Sequence, residues 1–216
     1  MTTISVLGGT GFAGSHIVAE AARRGFAVTS WSRKPPEADR QVPGVTYRTG
    51  DVLDPAVLTA AVQGADVVLG ALSPRGLLDG RLRDVYAALA DAASAAGARL
   101  GVVGGAGSLL VAEGGPKLMD TPSFPKEYAS EPRQLGEVLD DLRARTDALD
   151  WFFASPAGTF GAQAPGEATG RYRVGGDVLL TDAQGNSAIS GADFALAFID
   201  EVASPAHHRQ RFTVAY

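Results

Sequence analysis

A glycine-rich turn between a strand pattern and a helix pattern constrains this chain more than any other feature. The apolar run Ile4–Leu7 predicts a first β-strand, and a helical pattern begins immediately after the turn. Residues 8–14 read GGTGFAG, in which Gly9, Gly11 and Gly14 fit the spacing G-x-G-x-x-G. Because strand, turn and helix occur in the required order, this pattern predicts a βαβ unit that binds a dinucleotide.

Each glycine in such a turn has a physical purpose. One permits the tight turn, the next lets backbone N–H groups approach a pyrophosphate, and the third lets the helix lie close to the strand. The helix N-terminus adds partial positive charge. A purely structural turn is the alternative. The cofactor contacts predicted at this turn are Gly8, Thr10, Gly11, Phe12 and Gly14.

Length and composition narrow the classes of protein that fit. The 216 residues are enough for one domain with a real core, and the net charge of −5 comes without a basic cluster, which argues against nucleic acid as a partner. The absence of cysteine excludes disulfides and thiolate metal sites, and no metal centre is expected. No apolar run approaches the ~20 residues of a membrane span, and no signal peptide is recognisable. We therefore expect a cytoplasmic protein that does not contact membranes.

Strand and helix patterns alternate along the chain, which predicts an α/β fold with a doubly wound parallel sheet, the Rossmann fold. We expect one domain over residues 1–216, with an irregular lid at about 113–132 and a small C-terminal substrate lobe at about 158–188. The helix expected after the lid begins at about residue 133. Asp54 and Ser190 are expected to cap helices, and Gly97 to end one. The predicted strands are 4–7, 26–31, 45–48, 66–72, 100–103, 149–154 and 211–214.

The end of the second strand indicates which cofactor is bound. An NAD-selecting site usually places a carboxylate about 20 residues past the glycines, but this chain has Ser32, Arg33 and Lys34 there. Arg33 can bind a 2′-phosphate, with Ser32 donating to it and Lys34 adding charge. A solvated surface pair is the alternative. We predict NADPH, that is NADP(H), as the cofactor.

Other strand ends should complete the cofactor site. Asp51 beside Val52 is expected to accept a bond from the adenine amino group, and capping of the next helix is the alternative. Leu72, Ser73 and Gly104 end the fourth and fifth strands, at the edge where open α/β sheets bind ligands.

With these residues in view, the chain resembles the short-chain dehydrogenase/reductase superfamily, specifically its atypical NmrA-like and flavin-reductase branch. The glycine turn, Ser32-Arg33, residues 50–54 and residues 103–108 carry the resemblance, and Ser155-Pro156-Ala157 and residues 189–193 extend it over essentially the whole chain. The resemblance implies NAD(P)H binding, with Ser155 and Pro156 among the cofactor contacts. Members include reductases of flavins and quinones as well as redox-sensing proteins.

One departure from the superfamily bears on the chemistry. The usual catalytic pair is Tyr-x-x-x-Lys, in which lysine lowers the pKa of the tyrosine so that the phenol protonates a carbonyl oxygen. Here the candidate Tyr128 is followed four residues later by Pro132. A conjugated acceptor needs this acid less, because solvent can supply the proton. The substrate expected is therefore a small planar conjugated molecule.

For several polar residues, the sequence allows both a functional and a structural role. Ser108 lies close to where the superfamily's substrate-polarising hydroxyl falls, and it either donates to the acceptor or bonds a turn. Tyr128 either contacts substrate from the lid or is an exposed loop residue. His16 and Asp193 are expected to be structural, and His207 and His208 to lie in solvent.

Two functions follow from these residues. The first is an NADPH-dependent reductase of a flavin, quinone or similar acceptor, and the alternative is a regulator that senses NADP(H). A sugar-nucleotide epimerase or dehydratase is a weaker third, since it would need the missing acid–base pair. The assembly is expected to be a monomer or homodimer.

Overall fold

The computed structural model describes the backbone of residues 1–216 and every side chain except that of Tyr128. In the described chain, eight strands form one sheet and five α-helices pack on it. The strands are β1 Thr3–Leu7, β2 Ala27–Ser32, β3 Thr46–Thr49, β4 Val67–Gly70, β5 Arg99–Val103, β6 Trp151–Ser155, β7 Arg173–Gly175 and β8 Gln210–Ala215. The helices are α1 Phe12–Arg23, α2 Pro55–Val62, α3 Leu82–Ala96, α4 Ser130–Ala144 and α5 Gly191–Ala203.

The strand order is β3-β2-β1-β4-β5-β6-β8-β7, and every neighbouring pair is parallel except β7 with β8. The first six strands have the order of the doubly wound dinucleotide-binding fold, so the predicted fold class is confirmed. The order reverses between β1 and β4. The carboxyl ends of these two strands flank the crevice where such sheets bind ligands.

Two apolar layers hold the helices on opposite faces of the sheet. One layer joins α2, α3 and α4 to the sheet, with Leu89, Leu139 and Phe153 buried in it. The other joins α1 and α5 to the opposite face, with Ile17, Phe152 and Phe198 buried in it. Along β6, Phe152 and Phe153 belong to opposite layers, as the alternation of side chains in a strand requires. Helices on both faces leave the carboxyl edge of the sheet available for a site.

Local signals at helix ends act as the sequence predicts. The carboxylate of Asp54 accepts a bond from the Ala56 amide at 2.9 Å at the start of α2, and Ser190 accepts from Asp193 N–H at the start of α5. Gly97 ends α3 in the left-handed conformation, with φ of 69°. Among the described residues, no helix is long and apolar enough to cross a membrane.

The segment predicted as a lid ends earlier than expected, because the helix after it begins earlier. Helix α4 begins at Ser130, three residues earlier than predicted, and Pro132 is a buried residue of its first turn. Proline fits there because its missing N–H would have no intrahelical partner. Before α4, two short 3₁₀ helices occupy Leu118–Asp120 and Lys126–Tyr128. In the predicted lobe, β7 adds a short antiparallel edge to β8.

Candidate cofactor cleft

The glycine turn between β1 and α1 is crowded at three of its four glycines, and at Gly9 a Cβ would lie 2.2 Å from the Ser30 hydroxyl oxygen. Gly8 has a φ of +79°, and a Cβ there would lie 2.3 Å from the Ala71 carbonyl oxygen. A Cβ at Gly14 would lie 2.1 Å from the carbonyl oxygen of Gly8. A side chain at Gly8 or Gly14 is therefore excluded by the protein itself, whether or not a ligand is bound.

Gly11 is different, because it is exposed and a Cβ there would meet only the Gly8 carbonyl oxygen, at 3.3 Å. Its φ of −73° suits any residue. The fold itself does not demand glycine at this position, whereas a ligand lying against the turn would.

The first turn of α1 is open to an anion. Gly11 is its N-cap and supplies no side-chain cap, and this turn carries no acidic residue. The early N–H groups of a helix have no intrahelical partner and favour negative charge. Thr10 is exposed and Phe12 half-buried beside these groups. The arrangement fits a pyrophosphate.

The end of β2 leaves two cations in solvent. Ser32 Oγ donates to the Lys34 carbonyl at 2.6 Å, which shapes the turn after β2. Arg33 and Lys34 are exposed, and neither forms an ion pair with a described carboxylate. Both cations are therefore available to a phosphate at this edge.

Asp51, after β3, bonds a turn and does not cap α2, whose N-cap is Asp54. Its Oδ1 accepts from the Leu53 amide at 3.0 Å. The adenine contact stays a prediction for the second carboxylate oxygen, next to the half-buried Val52.

A buried tyrosine fixes the end of β4. Tyr86 donates its hydroxyl to the Gly70 carbonyl at 2.9 Å and accepts from the Leu72 amide at 3.4 Å. Burial raises the pKa of Tyr86 far above its ordinary value, so the phenol stays protonated in this role. Leu72 is buried, and Ser73 is half-buried at the rim of the crevice.

The predicted contacts at β5 and β6 lie deeper than those at β1 to β4. Gly104 is buried, and a Cβ there would lie 2.0 Å from the Phe153 ring. Ser155 is fully buried, its carbonyl accepts from Thr213 Oγ1, and Pro156 is buried beside it. The Ser155 hydroxyl has no hydrogen-bond partner among the described residues. Cofactor contact at these three residues stays a prediction, because the structure gives each one a packing role.

Ser108 is buried and bonded to an arginine from a distant strand. Arg211 Nη1 donates to Ser108 Oγ at 2.9 Å and to the Ser108 carbonyl at 3.2 Å, while Arg211 Nε donates to Asp177 at 2.6 Å. Burial lowers the pKa of Arg211, although the Asp177 carboxylate opposes this effect. Burial alone would raise the pKa of Asp177, but ion pairs with Arg211 and Arg143 hold it below its ordinary value. These contacts favour the structural interpretation of Ser108.

Sequence reasoning missed a second set of contacts, across the mouth of the crevice. Glu131, in the first turn of α4, accepts from Ser73 Oγ at 3.3 Å and from the Arg75 guanidinium at 3.1 and 3.2 Å. The ion pair joins the loop after β4 to α4, the helix that follows the predicted lid. No local pattern marks partners 56 residues apart.

Asp193 and His16 are both predicted to have structural roles, and their contacts agree with this prediction. Asp193 supports the start of α5, accepting from Thr169, Gly170 and Tyr216. His16 packs edge-on against Phe12 at 5.3 Å, and burial lowers its pKa. Both are structural, as predicted.

The solvent placement predicted for the histidine pair is wrong for His207. Its Nδ1 lies 2.7 Å from the Glu201 carboxylate, and its ring stacks on Phe212 at 4.3 Å. His208 keeps a largely exposed side chain beside Asp150.

The side chain of Tyr128 lies outside the described part of the chain. Among the described residues, no cluster of His, Asp and Glu has the geometry of a metal site.

Residues 8–205 match the protein family described as NAD(P)H-binding. The match begins at the first glycine of the turn and ends just after α5. The resemblance found in the motifs is confirmed at the level of this family.

Three relatives extend the comparison to whole chains. The uncharacterised protein YwnB of Bacillus subtilis is 40% identical over 98% of this chain and 97% of its own. A Bacteroides thetaiotaomicron structure, named as a candidate epimerase, is 37% identical with a TM-score of 0.89, covering 100% of this chain and 97% of its own. A Streptococcus pneumoniae structure, named as a candidate NADH-flavin reductase, is 30% identical with a TM-score of 0.83. The match covers 100% of this chain and 99% of that chain.

Proposed function

The chain belongs to the NAD(P)H-binding family, and we propose that it is an NADPH-dependent oxidoreductase that reduces a flavin, a quinone or a similar planar conjugated acceptor. The observation that carries the cofactor assignment is the open position at Gly11. A Cβ at Gly11 would meet only the Gly8 carbonyl oxygen of the protein, at 3.3 Å, and the position lies beside uncapped N–H groups of α1. This arrangement suits a pyrophosphate.

The preference for NADPH rests on the end of β2. Arg33 and Lys34 are exposed there, without a described carboxylate paired to either. A guanidinium binds a 2′-phosphate through charge-assisted bonds, whereas an NAD site would need an acid to accept from a ribose hydroxyl.

The proposed chemistry asks the protein to position the acceptor rather than to protonate it. When bound, NADPH supplies the hydride. Pro132 occupies the place where lysine would activate Tyr128, and Ser108 already bonds Arg211. The chain therefore holds the acceptor in reach and leaves the proton to solvent, so positioning supplies most of the rate. The candidate flavin reductase among the relatives supports this class of acceptor.

An acceptor screen tests the proposal. The unmodified protein is mixed with NADPH or NADH and with flavins, simple quinones, or aldehydes and ketones, and loss of reduced-cofactor absorbance is followed. We expect turnover with flavins or quinones, faster with NADPH, and little with unconjugated carbonyls. Tight NADPH binding without turnover of any acceptor would favour the NADP(H)-sensing alternative. Turnover restricted to unconjugated carbonyls would contradict the positioning mechanism.

A further inference from the structure

A polar cavity of about 340 Å³ lies between the sheet and the C-terminal end of α2. This volume falls within the range of small-molecule sites. The cavity lies on the α2 face of the sheet, whereas the glycine turn leads into α1 on the opposite face. None of the residues assigned to the cofactor cleft is among those that line it. The side chains that matter most are Thr3, Ser5, Thr29, Trp31, Arg48 and Gln63.

A row of hydroxyls crosses the sheet, and Ser5 and Thr29 of this row line the cavity. Ser5 pairs with Thr29 in the register of β1 and β2, and Thr29 pairs with Thr46 in β3. Neighbouring strands lie about 4.8 Å apart, so the hydroxyls are side by side. Ser5 is 3% exposed, and its hydroxyl oxygen has no hydrogen-bond partner in the described chain. A buried hydroxyl without a partner is unfavourable, and a polar group of a ligand that reached it from the cavity would satisfy it.

The next row supplies a cation and an aromatic ring. Trp31 pairs with Arg48 in the same register, and the Arg48 guanidinium lies 6.0 Å from the centre of the indole ring. Arg48 is exposed and has no ion-pair partner among the described carboxylates. Ala60 and Ala61 of α2 add a small apolar wall.

We propose that this cavity is a second binding site, specific for a small aromatic carboxylate. The Arg48 guanidinium binds the carboxylate by charge-assisted hydrogen bonds. The ring lies between Trp31 and the alanines of α2, and the hydroxyls of Ser5 and Thr29 bond polar substituents or a carboxylate oxygen. A free phosphate fits less well, because a doubly charged anion would meet one cation and largely side-chain hydroxyls.

Trp31 contacts both this cavity and the glycine turn of the cofactor cleft, and its fluorescence can detect a ligand in the cavity. Its carbonyl accepts from Gly8 N–H at 2.9 Å and from Gly9 N–H at 3.4 Å, while its ring lines the cavity. The chain has two tryptophans, and Trp151 is fully buried elsewhere in the core. In Trp151→Phe, the emission comes from Trp31 alone.

Benzoate is the probe, with neutral benzyl alcohol as its uncharged counterpart. Calorimetry on the unmodified chain should show saturable binding of one benzoate and none of benzyl alcohol, and benzoate should change Trp31 emission in Trp151→Phe. Arg48→Met should weaken benzoate binding about tenfold or more, as expected for loss of a charge-assisted bond. Arg133→Met removes another exposed arginine and should leave affinity unchanged.

Two variants separate a ligand site from a structural feature. Ser5→Ala should weaken benzoate binding several-fold without lowering the unfolding temperature, because the lost hydroxyl has no protein partner. Gly11→Val should retain benzoate binding. No saturable benzoate binding, equal affinity in Arg48→Met, or loss of binding in Gly11→Val would overturn the proposal. None of these results bears on the proposed NADPH site, which NADPH titration tests separately.

Discussion

At the scale of single residues, the glycines of the first turn serve different purposes despite forming one motif. A Cβ at Gly8 or Gly14 would lie 2.3 or 2.1 Å from a backbone carbonyl oxygen of the protein, whereas a Cβ at Gly11 would meet only the Gly8 carbonyl oxygen, at 3.3 Å. The motif thus combines positions required by folding with one that a bound pyrophosphate would require. Substitutions can separate these two requirements.

Gly11→Val should abolish NADPH binding while the protein still folds, because the valine side chain would occupy the space proposed for the pyrophosphate. Circular dichroism and calorimetric titration measure the two properties. Gly14→Val is the matched comparison, and it should lose folded structure because its side chain meets the Gly8 carbonyl. Normal NADPH affinity in Gly11→Val would reduce the motif to a structural turn.

Arg33 is expected to set the cofactor preference. Arg33→Ala should weaken NADPH binding by roughly 1.5–3 kcal/mol, the scale of a charge-assisted bond, and leave NADH binding nearly unchanged. Arg133→Ala, at an exposed position of α4, controls for the loss of one positive charge. Titration calorimetry with both cofactors decides the matter, and an equal loss for NADPH and NADH would reject this role.

At the scale of elements, a buried carboxylate joins the start of α5 to the C-terminal lobe. Asp193 accepts from the amides of Thr169 and Gly170 and from the Tyr216 hydroxyl at 2.6 Å. Burial alone would raise the pKa of Asp193, but these bonds lower it below its ordinary value of 3.8. Its ionised form therefore stabilises the folded state.

The sign of this pKa shift gives a pH prediction. The stabilisation by Asp193 is fully present above its unfolded pKa and is lost as the pH falls below 3.8 towards the lower folded value. Asp193→Asn should lose about 1–3 kcal/mol of unfolding free energy at neutral pH and show a shallower further loss in acid. Urea unfolding at several pH values measures both. Asp39→Asn, at an exposed site, should change neither, and an unaltered acid slope in Asp193→Asn would contradict the assignment.

At the scale of the whole molecule, the sequence predicts what short-range patterns encode. The strand–turn–helix order, the Asp54 cap and the Gly97 helix end each depend on a few adjacent residues. The start of α4 lies earlier than predicted because Pro132, although proline breaks a helix interior, fits the first turn. The Arg211–Asp177 and Arg75–Glu131 pairs join residues 34 and 56 positions apart, and only the packed fold brings them together.

The central claim is that this chain reduces a conjugated acceptor by positioning it, without a tyrosine acid. The most direct test is steady-state NADPH oxidation by the unmodified protein and by Tyr128→Phe, with the flavin or quinone that turns over best. We expect kcat/KM to fall by much less than the roughly 10²–10⁴-fold typical of losing a general acid, with NADPH affinity unchanged. A loss above about a thousandfold at unchanged cofactor affinity would contradict the account and restore an acid–base dehydrogenase.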